Sequence, residues 1–64
     1  MKTYYLVTVY TADGRACYTK VNSFDKAVQI CDGADFARIQ KRIKGQRGCA
    51  KYVYEKFDEV VTTY

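Results

Sequence analysis

The hydrophobic pattern along the chain changes period from two to about four and back again. Tyr4-Tyr5-Leu6-Val7-Thr8-Val9-Tyr10-Thr11 is β-branched and aromatic almost throughout, and Ala16 to Val21 follows it more loosely. Between them, Ala12-Asp13-Gly14-Arg15 contains an Asp-Gly step, a strong hairpin signal. With Asp13-Gly14 as a two-residue loop, Tyr10 opposes Cys17, Val9 opposes Tyr18, Val7 opposes Lys20 and Leu6 opposes Val21. Directly opposed residues share a face. One face then carries Tyr4, Leu6, Tyr10, Cys17 and Val21. The other carries Tyr5, Val7, Val9, Ala16 and Tyr18, with Lys20 at its side. Neither is polar, although a ribbon with one side in water should have a polar face.

The period then lengthens. Phe24, Ala27, Val28 and Cys31 recur at i, i+3, i+4 and i+7, which makes one apolar stripe on a helix. Asn22-Ser23 offers an N-cap, Asp25 suits the first turn, and Gly33 suits the C-cap. About nine residues of helix cannot stand alone, so the stripe must lie on a sheet.

Residues 36–44 fit two patterns. As a helix, Phe36, Ile39 and Ile43 form a stripe. As a strand, Ala37, Ile39, Lys41 and Ile43 alternate with Phe36, Arg38, Gln40 and Arg42. An internal echo favours the strand. Phe24-Asp25-Lys26-Ala27-Val28 returns 33 positions later as Phe57-Asp58-Glu59-Val60-Val61, an offset that also superposes Leu6 on Ile39 and Tyr10 on Ile43. Lys51 to Phe57 alternates and is rich in strand formers. The expected fold is α+β. It is a single small ββαββ domain with a mainly antiparallel four-stranded sheet and one helix on one face. Its parts are a hairpin at 3–22, a helix at 23–32, a second hairpin at 36–57 and a tail at 58–64, extended or a short C-terminal helix.

A 64-residue domain buries only about 60% of its unfolded surface and needs a staple. Cys17, Cys31 and Cys49 are odd in number and widely spaced, so they read as reduced, small hydrophobes rather than a disulfide framework; a Cys17–Cys49 bridge is the alternative. With no histidine and no Cys-x-x-Cys, no metal site is expected. That leaves oligomerisation, with Tyr5, Val7, Val9, Ala16 and Tyr18 as the expected interface, since one helix covers one face and a patch of this kind exceeds what monomers usually expose. The start of the chain lacks the apolar region of a signal peptide and no run has membrane-spanning length, so a cytoplasmic protein without a membrane partner is expected.

Charge and chemistry narrow the function. Residues 1–35 balance Lys2, Arg15, Lys20 and Lys26 against four aspartates, so the net charge of +4 lies wholly in the second half. No acid occurs from Phe36 to Tyr54. Ser23 is the sole serine, there is no imidazole to activate a cysteine, and Gly45-Gln46-Arg47-Gly48 has the spacing of neither nucleotide fingerprint. The expected protein is therefore not an enzyme and carries no cofactor. Arg38, Lys41, Arg42, Lys44, Arg47 and Lys51, followed by Tyr52 and Tyr54, form the candidate ligand-binding set. Lys and Arg neutralise phosphates and Tyr rings stack on bases. Nucleic acid or an anionic nucleotide is the expected ligand. The alternative is a protein–protein interaction module or inhibitor that uses an exposed sheet face or an edge strand. In size, lack of proline and compact pattern the chain resembles the small accessory proteins of phages and mobile elements. That resemblance implies sequestration of a signalling nucleotide or blockade of a host nuclease or other defence effector.

Overall fold

The computed structural model describes residues 3–45 and 51–64. Five strands, β1 (Thr3–Tyr10), β2 (Ala16–Val21), β3 (Phe36–Ile43), β4 (Lys51–Phe57) and β5 (Val60–Thr63), accompany one helix, α1 (Phe24–Asp32). The sheet is antiparallel throughout, in the order β2-β1-β3-β4-β5. The fold is a small α+β domain with five strands where four were expected. The segment after Phe57, expected as a tail or short helix, turns back as β5. The echo with α1 therefore does not extend to structure: Val60 and Val61 lie on a strand, whereas Ala27 and Val28 lie on a helix.

β1 pairs with β2 on one side and β3 on the other. The β2–α1–β3 connection therefore crosses over β1 and lays the helix across one face of the sheet. Ser23 occupies the N-cap position, but its side chain makes no capping hydrogen bond. Gly33 ends the helix at φ −85°, outside the left-handed region. The Lys56 ammonium meets the helix C-terminus instead, donating to the carbonyls of Cys31 and Asp32 at 3.3 Å each.

The first hairpin has a three-residue loop, not the expected two. Gly14 N–H donates to the Thr11 carbonyl at 3.0 Å, and Thr11 N–H donates to the Arg15 carbonyl at 2.8 Å. Gly14 sits at φ 86°, the left-handed position that follows a type I turn in such loops. The Thr11 hydroxyl braces the turn by donating to the Asp13 carboxylate and accepting from Arg15 N–H. The extra loop residue shifts the register by one, so Val9 opposes Cys17 and Leu6 opposes Lys20. A one-residue slip turns every β2 side chain over.

That shift corrects the expected interface. The helix packs on the face of Tyr5, Val7 and Val9: Val7 is fully buried, and Tyr5 and Val9 pack against the core. Ala16 and Tyr18 lie on the opposite face, so the five residues do not form one patch. The core is Val7, Ala37, Ile39 and Tyr54 from the sheet, closed by Ala27 and Cys31 from α1. Val7 and Ile39 oppose one another, as do Ile39 and Tyr54. Phe24 bridges helix to sheet edge-on, with its ring 5.6 Å from Tyr5 and 6.3 Å from Tyr54. The helix chooses this face because β3 contributes Ala37 and Ile39 to it, while the other face of β3 carries Arg38, Gln40 and Arg42. Among the described residues, no helix is long and apolar enough to cross a membrane.

Candidate functional site on the open sheet face

The face of the sheet opposite α1 has no covering element among the described residues. Its side chains follow in rows across the strands, read from the pairing register. One row is Ala16, Tyr10, Phe36, Phe57 and Val60. The next is Tyr18, Thr8, Arg38, Glu55 and Thr62. Beyond it come Lys20, Leu6, Gln40 and Tyr52, then Tyr4 and Arg42. A register shift between Ile39 and Gln40 makes Val53 the extra residue of a bulge, which keeps Tyr52 on this face although Tyr54 is on the other.

Arg38 is the centre of this surface. Its guanidinium carbon lies 5.2 Å from the centre of the Tyr52 ring and 5.8 Å from that of Phe57. Contacts of this kind attract a cation to a ring face. Arg38 Nε approaches Glu55 Oε2 at 3.3 Å but is not aligned for a hydrogen bond, so charge rather than geometry holds the pair. The other Glu55 oxygen accepts a 2.8 Å hydrogen bond from the Tyr64 hydroxyl. That bond raises the Tyr64 phenol above its ordinary pKa. Glu55 thus fixes Arg38 and Tyr64 on one surface.

The surface has two ends of different character. At one end, Tyr10, Phe36, Phe57 and Val60 are 39%, 43%, 44% and 65% exposed, and the Phe36 and Phe57 rings meet edge-on at 6.1 Å. At the other end, Lys20 Nζ sits 4.5 Å from the Tyr4 ring centre. There Thr3, Tyr4, Lys20, Asn22 and Lys44 line a shallow open depression of about 440 Å³. Arg42 opposes Tyr4 at this same end. An elongated ligand would meet cations at one end, rings at the other, and Arg38 between them.

The basic stretch therefore divides by face. Arg38 and Arg42 project with Gln40, as strand alternation implies, and Tyr52 joins them. Lys41 and Lys51 oppose one another on the helix side. Tyr54, expected to bind ligand, is 5% exposed and belongs to the core, where burial raises its phenol pKa. Lys44 borders the depression. Arg47 lies outside the described residues, as does Cys49. Of the other cysteines, Cys17 is exposed and Cys31 is buried. Burial, then the neighbouring Asp32 charge, push the Cys31 thiol pKa up, which suits a packing role.

Reading the sequence linearly placed Tyr18 on the uncovered face but missed Tyr4, Tyr10, Lys20, Phe36, Phe57 and Tyr64 as members of this surface. The available signal was the period-two alternation of β3, carried across to β1 and β4. The described residues contain no group of three or more His, Cys, Asp or Glu placed to hold a metal ion. Comparison of the chain with protein-family models, with curated proteins and with solved structures finds no match.

Proposed function

We propose that this is a small, non-enzymatic binding protein whose open sheet face takes up single-stranded nucleic acid or an anionic nucleotide. One observation carries the reading: Arg38, Arg42 and Lys20 share a single uncovered face with exposed rings from four strands. Cations supply phosphate attraction, and rings supply sequence-tolerant stacking of about 1–3 kcal/mol per base. Duplex is disfavoured as a ligand, because its bases are already stacked on each other and the rings here lie on a broad face rather than on an element that enters a groove. A protein of this kind acts by occupancy. In the accessory-protein reading, it would sequester a signalling nucleotide.

The test is fluorescence anisotropy with a labelled single-stranded oligonucleotide, a duplex of the same sequence and a labelled cyclic dinucleotide, each over a salt series. Binding to a single strand or the nucleotide that weakens steeply with salt supports the reading. Absence of binding to all three at low salt refutes it. In that case the same face, or an edge strand, serves a protein partner, whose capture would survive moderate salt.

A further inference from the structure

A sheet of five strands has two edges, and here the two are built differently. β2 carries Lys20 near its end, and a lysine on an edge discourages pairing with another strand. β5 carries no such device. Residues Val60 to Tyr64 contain no charge, no proline and no glycine. Val60 and Val61 are among the exposed large hydrophobics. In a chain of net charge +4, a β-branched edge without charged side chains lets two copies approach without opposing like charges.

The hydrogen-bond pattern of β5 says how they would meet. Tyr64 N–H donates to the Val53 carbonyl at 3.1 Å, and β5 pairs with β4 in unbroken antiparallel register from Thr63 back to Val60. Bonded and non-bonded pairs alternate in such a ladder. Val60, Thr62 and Tyr64 therefore turn their backbone groups toward β4, while Val61 and Thr63 turn theirs outward. Two donors and two acceptors line the free edge. An antiparallel two-fold arrangement centred on Thr62 uses all four, because Val61 then faces the partner's Thr63 and Thr63 faces the partner's Val61. A register centred on Val61 or Thr63 pairs only one of them within the strand.

We infer that β5 is a homodimer contact in which two copies pair edge to edge about Thr62 to form one continuous ten-stranded sheet. Val60 then opposes the partner's Tyr64 on either side of the axis, an aliphatic–aromatic cross-strand pair of the kind that stabilises sheets. Opposed residues share a face, so both open faces lie on the same side. The pairing joins two Arg38-centred surfaces into one longer platform. It holds whatever ligand that platform takes. It also moves the expected oligomer contact from the Tyr5–Tyr18 face to the edge.

A cysteine at the axis tests this. Opposed residues in a non-bonded antiparallel pair have Cα atoms about 4.5 Å apart, within the range a disulfide spans. In the full chain with Cys17 and Cys49 replaced by serine, Thr62→Cys should give a cross-linked dimer under mild oxidation. Val60→Cys, which faces Tyr64, should cross-link several-fold more slowly. Val61→Pro removes an outward N–H and should shift the sedimentation profile toward monomer, with an unchanged far-ultraviolet circular dichroism spectrum. A wild-type chain that stays monomeric into the high micromolar range overturns the inference. So does equal cross-linking at positions 60 and 62, or a dimer that survives Val61→Pro but is lost in Phe57→Ser, which would place the contact on the open face.

Discussion

Two double variants with equal charge separate a binding face from a merely basic chain. Arg38→Gln with Arg42→Gln removes two cations from the open face. Lys41→Gln with Lys51→Gln removes two from the helix side, where those residues oppose one another. Each takes the formal charge from +4 to +2, so long-range attraction falls alike in both. Direct phosphate contact does not. On single strands each neutralised phosphate contributes about 0.7 to the slope of log affinity against log salt. Losing two contacts lowers that slope by about 1.4, equivalent to about a sevenfold change in salt response over a fourfold rise in salt. Removing Arg38 also leaves the Glu55 carboxylate without its cation on the same face, which adds a repulsive charge. The slope change should therefore be at least this large for the open-face pair and small for the helix-side pair. Anisotropy titrations at four salt concentrations measure both slopes, and circular dichroism confirms folding. Equal loss in the two variants would refute the assignment to one face and leave only a diffuse charge effect.

Three further outcomes check the framework beneath that face. Ile39→Val should cost about 1 kcal/mol by opening a cavity in the core, whereas Phe36→Ala should cost less than about 1.5 kcal/mol, mainly its edge-on contact with Phe57, as urea denaturation would report. Asp58 sits at φ 57° in the β4–β5 turn, so Asp58→Gly should raise stability by up to about 1 kcal/mol and increase the thermal midpoint; a fall would show that a side-chain role outweighs backbone strain. The Cys31 thiol has its pKa raised above 9.0 by burial and by Asp32, so its contribution to stability is complete below the unfolded-state value and is lost as pH rises through the folded-state value. Stability should decline above pH 9 in the wild type and decline less in Cys31→Ala, measured by denaturant unfolding from pH 8 to 10.

Much of what the sequence withheld about the first hairpin comes down to one residue of loop length. Strand and helix periods placed β1, β2, α1 and β4 within a residue or two, whereas for β3 the period fits helix and strand alike and the echo that favoured the strand does not extend to structure. Asp13-Gly14 announced a hairpin, yet the same dipeptide fits a two-residue loop and a three-residue loop with Gly14 in the left-handed position. Only the Thr11 and Gly14 hydrogen bonds decide between them. Choosing the shorter loop put Tyr18 beside Val9 and Val21 beside Leu6, which made both ribbon faces look apolar. The longer loop sorts them: Cys17, Thr19 and Val21 turn toward the helix side, and Tyr18 and Lys20 turn to the open side with Thr8 and Leu6. The second ambiguity was the identity of the covered face. No ribbon decides that alone. β3 does, since its two faces are unequal: Ala37, Ile39 and Ile43 with one lysine, Lys41, against Phe36 with Arg38, Gln40 and Arg42. Once β3 lies beside β1, desolvating two arginines under a helix would cost several kcal/mol per ion, so the helix must take the Val7 side. The same inequality that buries Val7 leaves Tyr4, Tyr10 and Tyr18 outside with the arginines. The candidate site is therefore the face that the core could not use.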